Sequence, residues 1–310
     1  MNKLDTVFLK IKPYQAILIP VCVALVTSLV VVKCASSPNE NILKQLASNE
    51  SVYARVMRSG TIRCGYSVSP PSVIKNVDNE KLSGLSYDYM QEIGKILNLK
   101  VEFVRELNVA EYQSALNSNQ IDVMCSGVNV SAARGKFTDF IDPIFYSPNY
   151  FFARANDNRF DKGISIANNP KYSLIHIEGT VTELIQKHLF PESKSLELPR
   201  LARTPELFMS LAAGEGDFII ADKYNFKEFD SRNPGKIKMV DPKPVMIFPR
   251  SIAIKNGQDE MRTMLNYATE QLRFSGVIDK LIDKYEKYPN VYYRVSPGYI
   301  TEAKSVAPKR

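Results

Sequence analysis

The sequence predicts an α/β protein of two lobes, each a mostly parallel sheet flanked by helices, with two hinge strands running between them. Three observations carry that expectation. A β-α-β-α-β rhythm runs from about Ser59 to Cys125, a second such unit runs from Tyr172 to Ala221, and the segments after each unit must carry the chain across to the other lobe. With 310 residues, 45% of them apolar and 24% charged, the chain is long enough to bury a core in each of about two lobes.

Taken in order, Thr61–Tyr66 reads as a first strand. SYDYMQEIGKILNL places Met90, Ile93 and Leu97 at helical spacing and leads into the strand KVEFV. Asn108 and Glu111 form a capping pair for VAEYQSALNS, after which Ile121–Cys125 is the next strand. The second unit opens with the strand YSLIHI, a turn at Gly179 and a helix from about Thr180 to Leu189. A strand near SLELP, a helix opened by Thr204-Pro205-Glu206 and closed at Gly214, and the strand DFIIA complete it. MIFPRSIAIK is a further strand, and helices near 258–275 and 276–287 have no strands of their own to cover, so they return to the first lobe. The crossings fall near Ser147–Phe152 and Met246–Ser251. The expected organisation is therefore 1–37 as signal peptide or anchor, 38–58 as a polar or helical linker, 59–147 plus 250–290 as one lobe, 148–249 as the other, and 291–310 as a tail. Ligands of open α/β sheets sit beyond the carboxyl ends of the strands, which in this arrangement is the cleft between lobes.

The net charge of +7 does not indicate a nucleic-acid partner. Five of those charges lie in residues 1–37 and 301–310, and the body mixes acids and bases with no Lys/Arg run able to track a phosphate backbone. At the N-terminus, Lys3, Lys10 and Lys12 precede a 17-residue uncharged run, Ala16–Val32. Its length lies between a secretory signal and a bilayer span, and its basic flank predicts export of the chain beyond Val32. Cleaved signal and retained anchor both fit: Cys34-Ala35-Ser36 offers small residues for cleavage, while Lys33 spoils a lipoprotein box.

Of four cysteines, Cys64 and Cys125 lie in the exported body, in the apolar stretches TIRCGY and IDVMCSG. They read as two buried small hydrophobes, with a disulfide permitted by the compartment as the minority reading. His176 and His188, the two histidines, show no metal-ligand spacing or nucleophile signature, and GEG at 214–216 closes a helix instead of opening one on a phosphate. No cofactor and no metal are expected.

The stretch IDVMCSGVNVSAARGKFTDFIDPIF at 121–145 resembles the bacterial extracellular solute-binding proteins of family 3, the amino-acid-type binding proteins of ABC importers. GLSYDYMQEIGKIL at 84–97, IEGTVTELI at 177–185 and GEGDFIIAD at 214–222 match further motifs of that family, in the same order and spacing. The resemblance covers about 59–288. It implies a type II periplasmic-binding-protein-like fold, a small polar solute and above all an amino acid as ligand, an ABC permease as partner, a monomer, and a periplasmic location, with the N-terminal segment as a tether if it is retained.

Position by position, the resemblance makes Arg134 the arginine that pairs with a ligand α-carboxylate, through a planar fork that lysine lacks. Asp222 matches the acceptor of the α-ammonium group, and it also suits the N-cap of the helix after it. Ser126, Gly127 and Asn129 follow a strand end where the family presents hydroxyls and backbone groups; Asn129 departs from the usual Ser/Thr and is free to serve a different atom. Thr180, Val181 and Thr182 fall at a helix N-terminus suited to a carboxylate, and Val181 leaves only its backbone for that contact. Ser67, with Val68, Ser69 and Pro70, stands where relatives that bind basic side chains carry an acid and an aromatic, which disfavours lysine and arginine as ligands. Val109 sits near the place of a stacking aromatic, a role open to Tyr66 or Tyr112. Two other readings share this fold: a cyclohexadienyl-dehydratase-like enzyme using Glu178 or Asp222 as acid or base, and a membrane-tethered sensing domain.

Overall fold

The structure, a computed structural model, describes residues 50–108 and 111–295. The apolar N-terminal segment, positions 38–49 of the expected linker, Val109 and the tail from 296 onward lie outside the described residues. Strands are β1 (Thr61–Tyr66), β2 (Ile74–Lys75), β3 (Leu82–Ser83), β4 (Lys100–Glu106), β5 (Val123–Asn129), β6 (Thr138–Phe140), β7 (Phe145–Arg154), β8 (Ser173–Ile177), β9 (Lys194–Leu198), β10 (Phe218–Asp222), β11 (Ile237–Met239), β12 (Met246–Lys255) and β13 (Tyr293–Arg294). Helices are α1 (Val52–Ser59), α2 (Leu85–Leu97), α3 (Tyr112–Asn117), α4 (Ala132–Gly135), α5 (Thr182–Leu189), α6 (Thr204–Ala213), α7 (Lys223–Arg232), α8 (Asp259–Phe274) and α9 (Val277–Tyr285). Among the described residues no helix is long and apolar enough to cross a membrane.

Local chemistry explains several boundaries. Asn108 and Glu111 cap reciprocally: the Glu111 N–H donates to Asn108 Oδ1 at 3.1 Å and the Asn108 N–H to Glu111 Oε2 at 3.0 Å. The helix itself starts at Tyr112, three residues later than its apolar pattern suggests. At α6, Glu206 Oε1 accepts from the Arg203 N–H at 3.3 Å, Pro205 occupies the first turn, and Gly214 ends the helix in the left-handed region at φ 82°.

The main sheet runs β4-β1-β5-β12-β7-β10-β8-β9. Its flanks are parallel, β1 with β4 and β5 on one side and β8 with β9 and β10 on the other. Its centre is antiparallel: β5 pairs with β12, β12 with β7, and β7 with β10. The two expected crossings lie within β7 and β12 and pair with each other, from Met246 opposite Asn149 to Arg250 opposite Phe145. Sequence patterning expects a crossing at 147–152 and did not reveal that this segment belongs to a ten-residue strand.

Buried apolar side chains gather on either side of this centre. One cluster joins Ile62, Met90, Ile93 and Val123 to Met261, Leu265, Ile278 and Ile282, so α8 and α9 do return to the first set of strands. Val52 and Val56 of α1 belong to the same cluster. Along β7, alternation sends Phe151 and Phe152 to opposite faces. Phe152 meets Phe208 and Phe226 under α6 and α7, whereas Phe151 stacks on Phe218, with centroids 4.7 Å apart, beside Phe160 and Phe190. The second set of strands is thus covered on both faces, as a parallel sheet requires.

The structure corrects the reading of Cys64 and Cys125 as separate buried hydrophobes: they form a disulfide. β1 and β5 are adjacent and parallel, with Cys64 opposite Val123, so Cys125, two residues on, projects from the same face. Strand adjacency made this contact, and spacing along the chain did not reveal it. Replacing both cysteines by alanine is expected to lower stability by about 2–4 kcal/mol, read as a lower thermal midpoint, with the wild type moved in the same direction by reductant.

Asp122, with 1% of its side chain exposed, is the other cross-link of this region. It accepts from the Arg63 N–H at 2.7 Å, from Arg63 Nη2 at 2.9 Å and from Arg55 Nη2, tying α1 to the loop before β5. Asp122→Ala leaves two guanidinium groups without their shared acceptor. It should cost about 3 kcal/mol, the low end for a broken buried pair because both arginines keep some contact with water; a denaturant midpoint unchanged from wild type would contradict this.

Candidate functional site

Parallel strands end together, and apart from Arg134 on α4 the expected ligand contacts sit at or just beyond those ends. Tyr66 ends β1 and Ser67 follows it, and Ser126, Gly127 and Asn129 close the neighbouring β5. Thr180, Val181 and Thr182 follow β8, and Asp222 ends the neighbouring β10. Between the two groups stand the paired β7 and β12, with Asp222 opposite Asn149 and Asn129 opposite Arg250.

Asn129 organises the first group. Its backbone carbonyl accepts from Arg134 Nη1 at 2.9 Å and its Oδ1 accepts from Arg250 Nη1 at 2.7 Å, so one residue holds two guanidinium groups side by side. Here the departure from Ser/Thr acquires a structural meaning, since a hydroxyl would not reach as an amide oxygen does. Arg134 is presented by the single turn α4, capped by Ser131 Oγ, which accepts from the Arg134 N–H at 3.4 Å. Burial makes Arg134 hold its proton less tightly than an exposed arginine, and the nearby Tyr112 hydroxyl opposes that effect. Arg250 is affected the same way: burial lowers its proton affinity, Tyr292 and Asp222 oppose, and Arg134 adds to the lowering. Both remain charged at neutral pH. Neither is ion-paired among the described residues.

Ser126, 5% exposed, serves the backbone as well as the cleft. Its Oγ accepts from the Ser67 N–H at 2.5 Å and its carbonyl accepts from Ser72 Oγ at 2.6 Å, which pins the loop after β1 onto the end of β5. Gly127 has φ 64°, and a Cβ there would come within 3.1 Å of Ser86 Oγ, so the turn that swings Asn129 into place admits glycine and little else. Tyr66 is half-buried with its ring edge-on to Phe103 at 5.7 Å, and burial followed by the nearby Glu106 carboxylate raises its hydroxyl pKa. Tyr112 is 1% exposed within the core, which removes it as a stacking surface; burial raises its pKa, and Arg134 opposes this.

On the other side, Asp222 caps α7: Oδ1 accepts from the Asn225 N–H at 2.9 Å and Oδ2 from Asn225 Nδ2 at 2.7 Å. These contacts orient the carboxylate and leave lone pairs for a further donor. Thr180 Oγ1 donates to the Ile177 carbonyl at 2.7 Å, Val181 packs on the apolar cluster around Phe151, and Thr182 is buried. Helix α5 begins at Thr182, later than Thr180, and Glu183 folds back so that Oε1 accepts from the Gly179 N–H at 2.5 Å. This turn therefore carries a carboxylate of its own.

Sequence reasoning missed Arg250 and Tyr292. A lone arginine in the mostly apolar MIFPRSIAIK was a legible signal for the first. Tyr292 had none; it packs edge-on against Phe145 at 4.7 Å, and burial drives its pKa up, with Arg250 opposing and Asp222 reinforcing. A cavity of about 400 Å³ lies apart from these residues, lined by His176, Glu183, Lys187, Ser195 and Glu197. Pairing of β8 with β9 sets His176 opposite Glu197, and with Glu183 their donor atoms lie within 4.8 Å of one another, a grouping hidden by their spacing in sequence. His176 Nε2 lies 2.5 Å from Ser195 Oγ, and none of the residues expected to bind the solute lines this cavity.

Comparison with known proteins bears on this geometry. A probable histidine-binding protein of Neisseria gonorrhoeae is 26% identical over 208 residues, covering 66% of this chain and 75% of that protein. An ABC transporter glutamine-binding protein of Bacillus subtilis is 23% identical over 218 residues, covering 69% and 76%. Among solved structures, an ancestral amino acid-binding protein described as a precursor of cyclohexadienyl dehydratase superposes with TM-score 0.64 at 24% identity, over 76% of this chain and 99% of that one, a likeness of fold. Residues 62–288 match the family model itself, and the chain belongs to the bacterial extracellular solute-binding proteins, family 3.

Proposed function

We propose that the protein captures an amino acid in the cleft between its lobes, outside the cytoplasm, and delivers it as a monomer to the permease of an ABC importer. The observation that carries this reading is the placement of Arg134, half-buried, anchored on Asn129 and without a carboxylate partner among the described residues, on the opposite side of the β7–β12 pair from Asp222. A zwitterion laid between them would give its α-carboxylate to the guanidinium fork and its α-ammonium to the oriented carboxylate. Ser126, Gly127, Asn129, Tyr66 and Ser67 would complete one wall, and Thr180, Val181 and Thr182 the other. The names of the relatives, a histidine binder and a glutamine binder, support the same ligand class. The apolar N-terminal run would direct export and, if retained, tether the protein to the outer face of the membrane.

Binding without turnover fits the acid–base inventory. Glu178 is exposed enough to pair with Arg200 at 2.5 Å, and both Asp222 oxygens already accept hydrogen bonds.

Arg134→Ala should weaken amino-acid binding by about 30-fold to several thousand-fold, since losing one member of a desolvated pair costs about 2–5 kcal/mol. Arg134→Lys should recover part of this, keeping the charge without the fork. Calorimetry with thermal melts as the folding control measures both. Undiminished affinity in Arg134→Ala would remove the α-carboxylate assignment.

With 59–147 plus 250–290 as one lobe and 148–249 as the other, closure on ligand would bend the paired segments 147–152 and 246–251 while each lobe moves as a body. Small-angle scattering with and without saturating ligand should show a smaller radius of gyration in the bound state. An interlobe distance that does not change on saturation would argue against a hinge there.

A further inference from the structure

We propose that the solute carries a second carboxylate, bound by Arg250, so that the substrates are dicarboxylic α-amino acids of the glutamate and aspartate type. This rests on the amino-acid reading and adds the side chain to it.

Among the described residues Arg250 has no ion-pair partner that accounts for its charge. It lies on β12 at the register of Asn129 and Phe145, in the antiparallel centre of the sheet where both sets of strand ends converge. Of its donors, Nη1 is bonded to Asn129 Oδ1 at 2.7 Å, and Nε is buried with no partner. The groups that act on it electrostatically are Tyr292, Asp222 and Arg134, which come from the segment before β13, from β10 and from α4. Tyr292 brings a neutral hydroxyl. Asp222 is the one carboxylate among them, and both its oxygens already accept from Asn225.

Counting charge then discriminates between ligand classes. Arg134, Arg250 and Asp222 sum to one positive charge, and the Glu183 carboxylate of the opposite turn is engaged by the Gly179 N–H and lines the separate cavity. A neutral zwitterion satisfies Arg134 and Asp222 and leaves Arg250 desolvated beside a second guanidinium, an arrangement that burial penalises. A basic amino acid would add a third cation. An acidic side chain supplies the missing negative charge, and the guanidinium, bonded through Nη1 to Asn129, has Nη2 left to donate to a carboxylate. Lys75 does not substitute, because its ammonium lies 3.6 Å from both Glu80 and Glu106 near Tyr66. Since Asn129 holds both arginines, the two carboxylates would be bound next to each other and a few bonds apart, as they are in a short dicarboxylic amino acid.

The test is calorimetry on the full chain with L-glutamate, L-glutamine, L-aspartate and L-asparagine, pairs that differ in charge at nearly constant shape. The wild type should bind at least one acid about 10- to 100-fold more tightly than its amide, the worth of a hydrogen-bonded charge. Arg250→Gln should bring that ratio close to one, Arg250→Lys should keep part of it, and melts would report folding. A wild type that binds amides or basic amino acids as tightly as acids, while Arg134→Ala still abolishes binding, overturns this inference and leaves the amino-acid reading standing. A preference for acids that survives Arg250→Gln and Arg250→Lys overturns the role of Arg250. A wild type that binds no amino acid overturns both readings, and because the wild-type ratio decides the substrate class, a poorly folding variant does not protect the proposal.

Discussion

The antiparallel pairing of β7 with β12 is the contact on which the rest of the architecture depends. Five register pairs, from Met246–Asn149 to Arg250–Phe145, make two crossings into one ladder. Backbone hydrogen bonds therefore continue through the middle of the molecule, and the parallel strands on either side are ordered relative to a shared centre. β12 pairs with β5 and β7 pairs with β10 along their outer edges, so the same two strands that connect the lobes also set the position of Asn129 and of Asp222. A site assembled from the ends of parallel strands needs such a frame, because its residues come from distant parts of the chain.

Around that frame the polar chemistry is economical. Asn129 uses its backbone oxygen for one arginine and its side-chain oxygen for another. Ser126 fastens the loop after β1, and Gly127 supplies the left-handed turn between them. Each residue does something for the fold, and together they hold two guanidinium groups at the strand ends that form no ion pair among the described residues. Asp122 makes the contrast. That carboxylate is deeply buried too, but it is paired with Arg55 and Arg63 and works as a cross-link of the fold.

Several elements were legible because their signals are local. Thr61–Tyr66 and Met246–Lys255 have the limits that patterning assigns them, the Asn108–Glu111 bonds form as read, and the helix opened by Thr204-Pro205-Glu206 begins at Thr204 with Arg203 as its cap. Arg134 and Asp222 could be proposed as ligand contacts because each is embedded in a contiguous motif. The Cys64–Cys125 bond, the grouping of His176 with Glu183 and Glu197, and the position of Tyr292 were not legible, since each is a meeting of residues brought together by strand order or by the return of the chain after α9.

What the sequence by itself determined is the set of elements, their alternation and the family motifs, because helix caps, apolar periodicity and short motifs act over a few residues. What only the tertiary structure decided is which of those elements are neighbours. Strand order put Cys64 beside Cys125, and the antiparallel centre brought Arg250 to Asn129 and so to Arg134. A single arginine in an apolar strand has the same local signature whether it ends in solvent or beside a second buried guanidinium, and burial and charge proximity, which depend on the whole fold, are what separate the two.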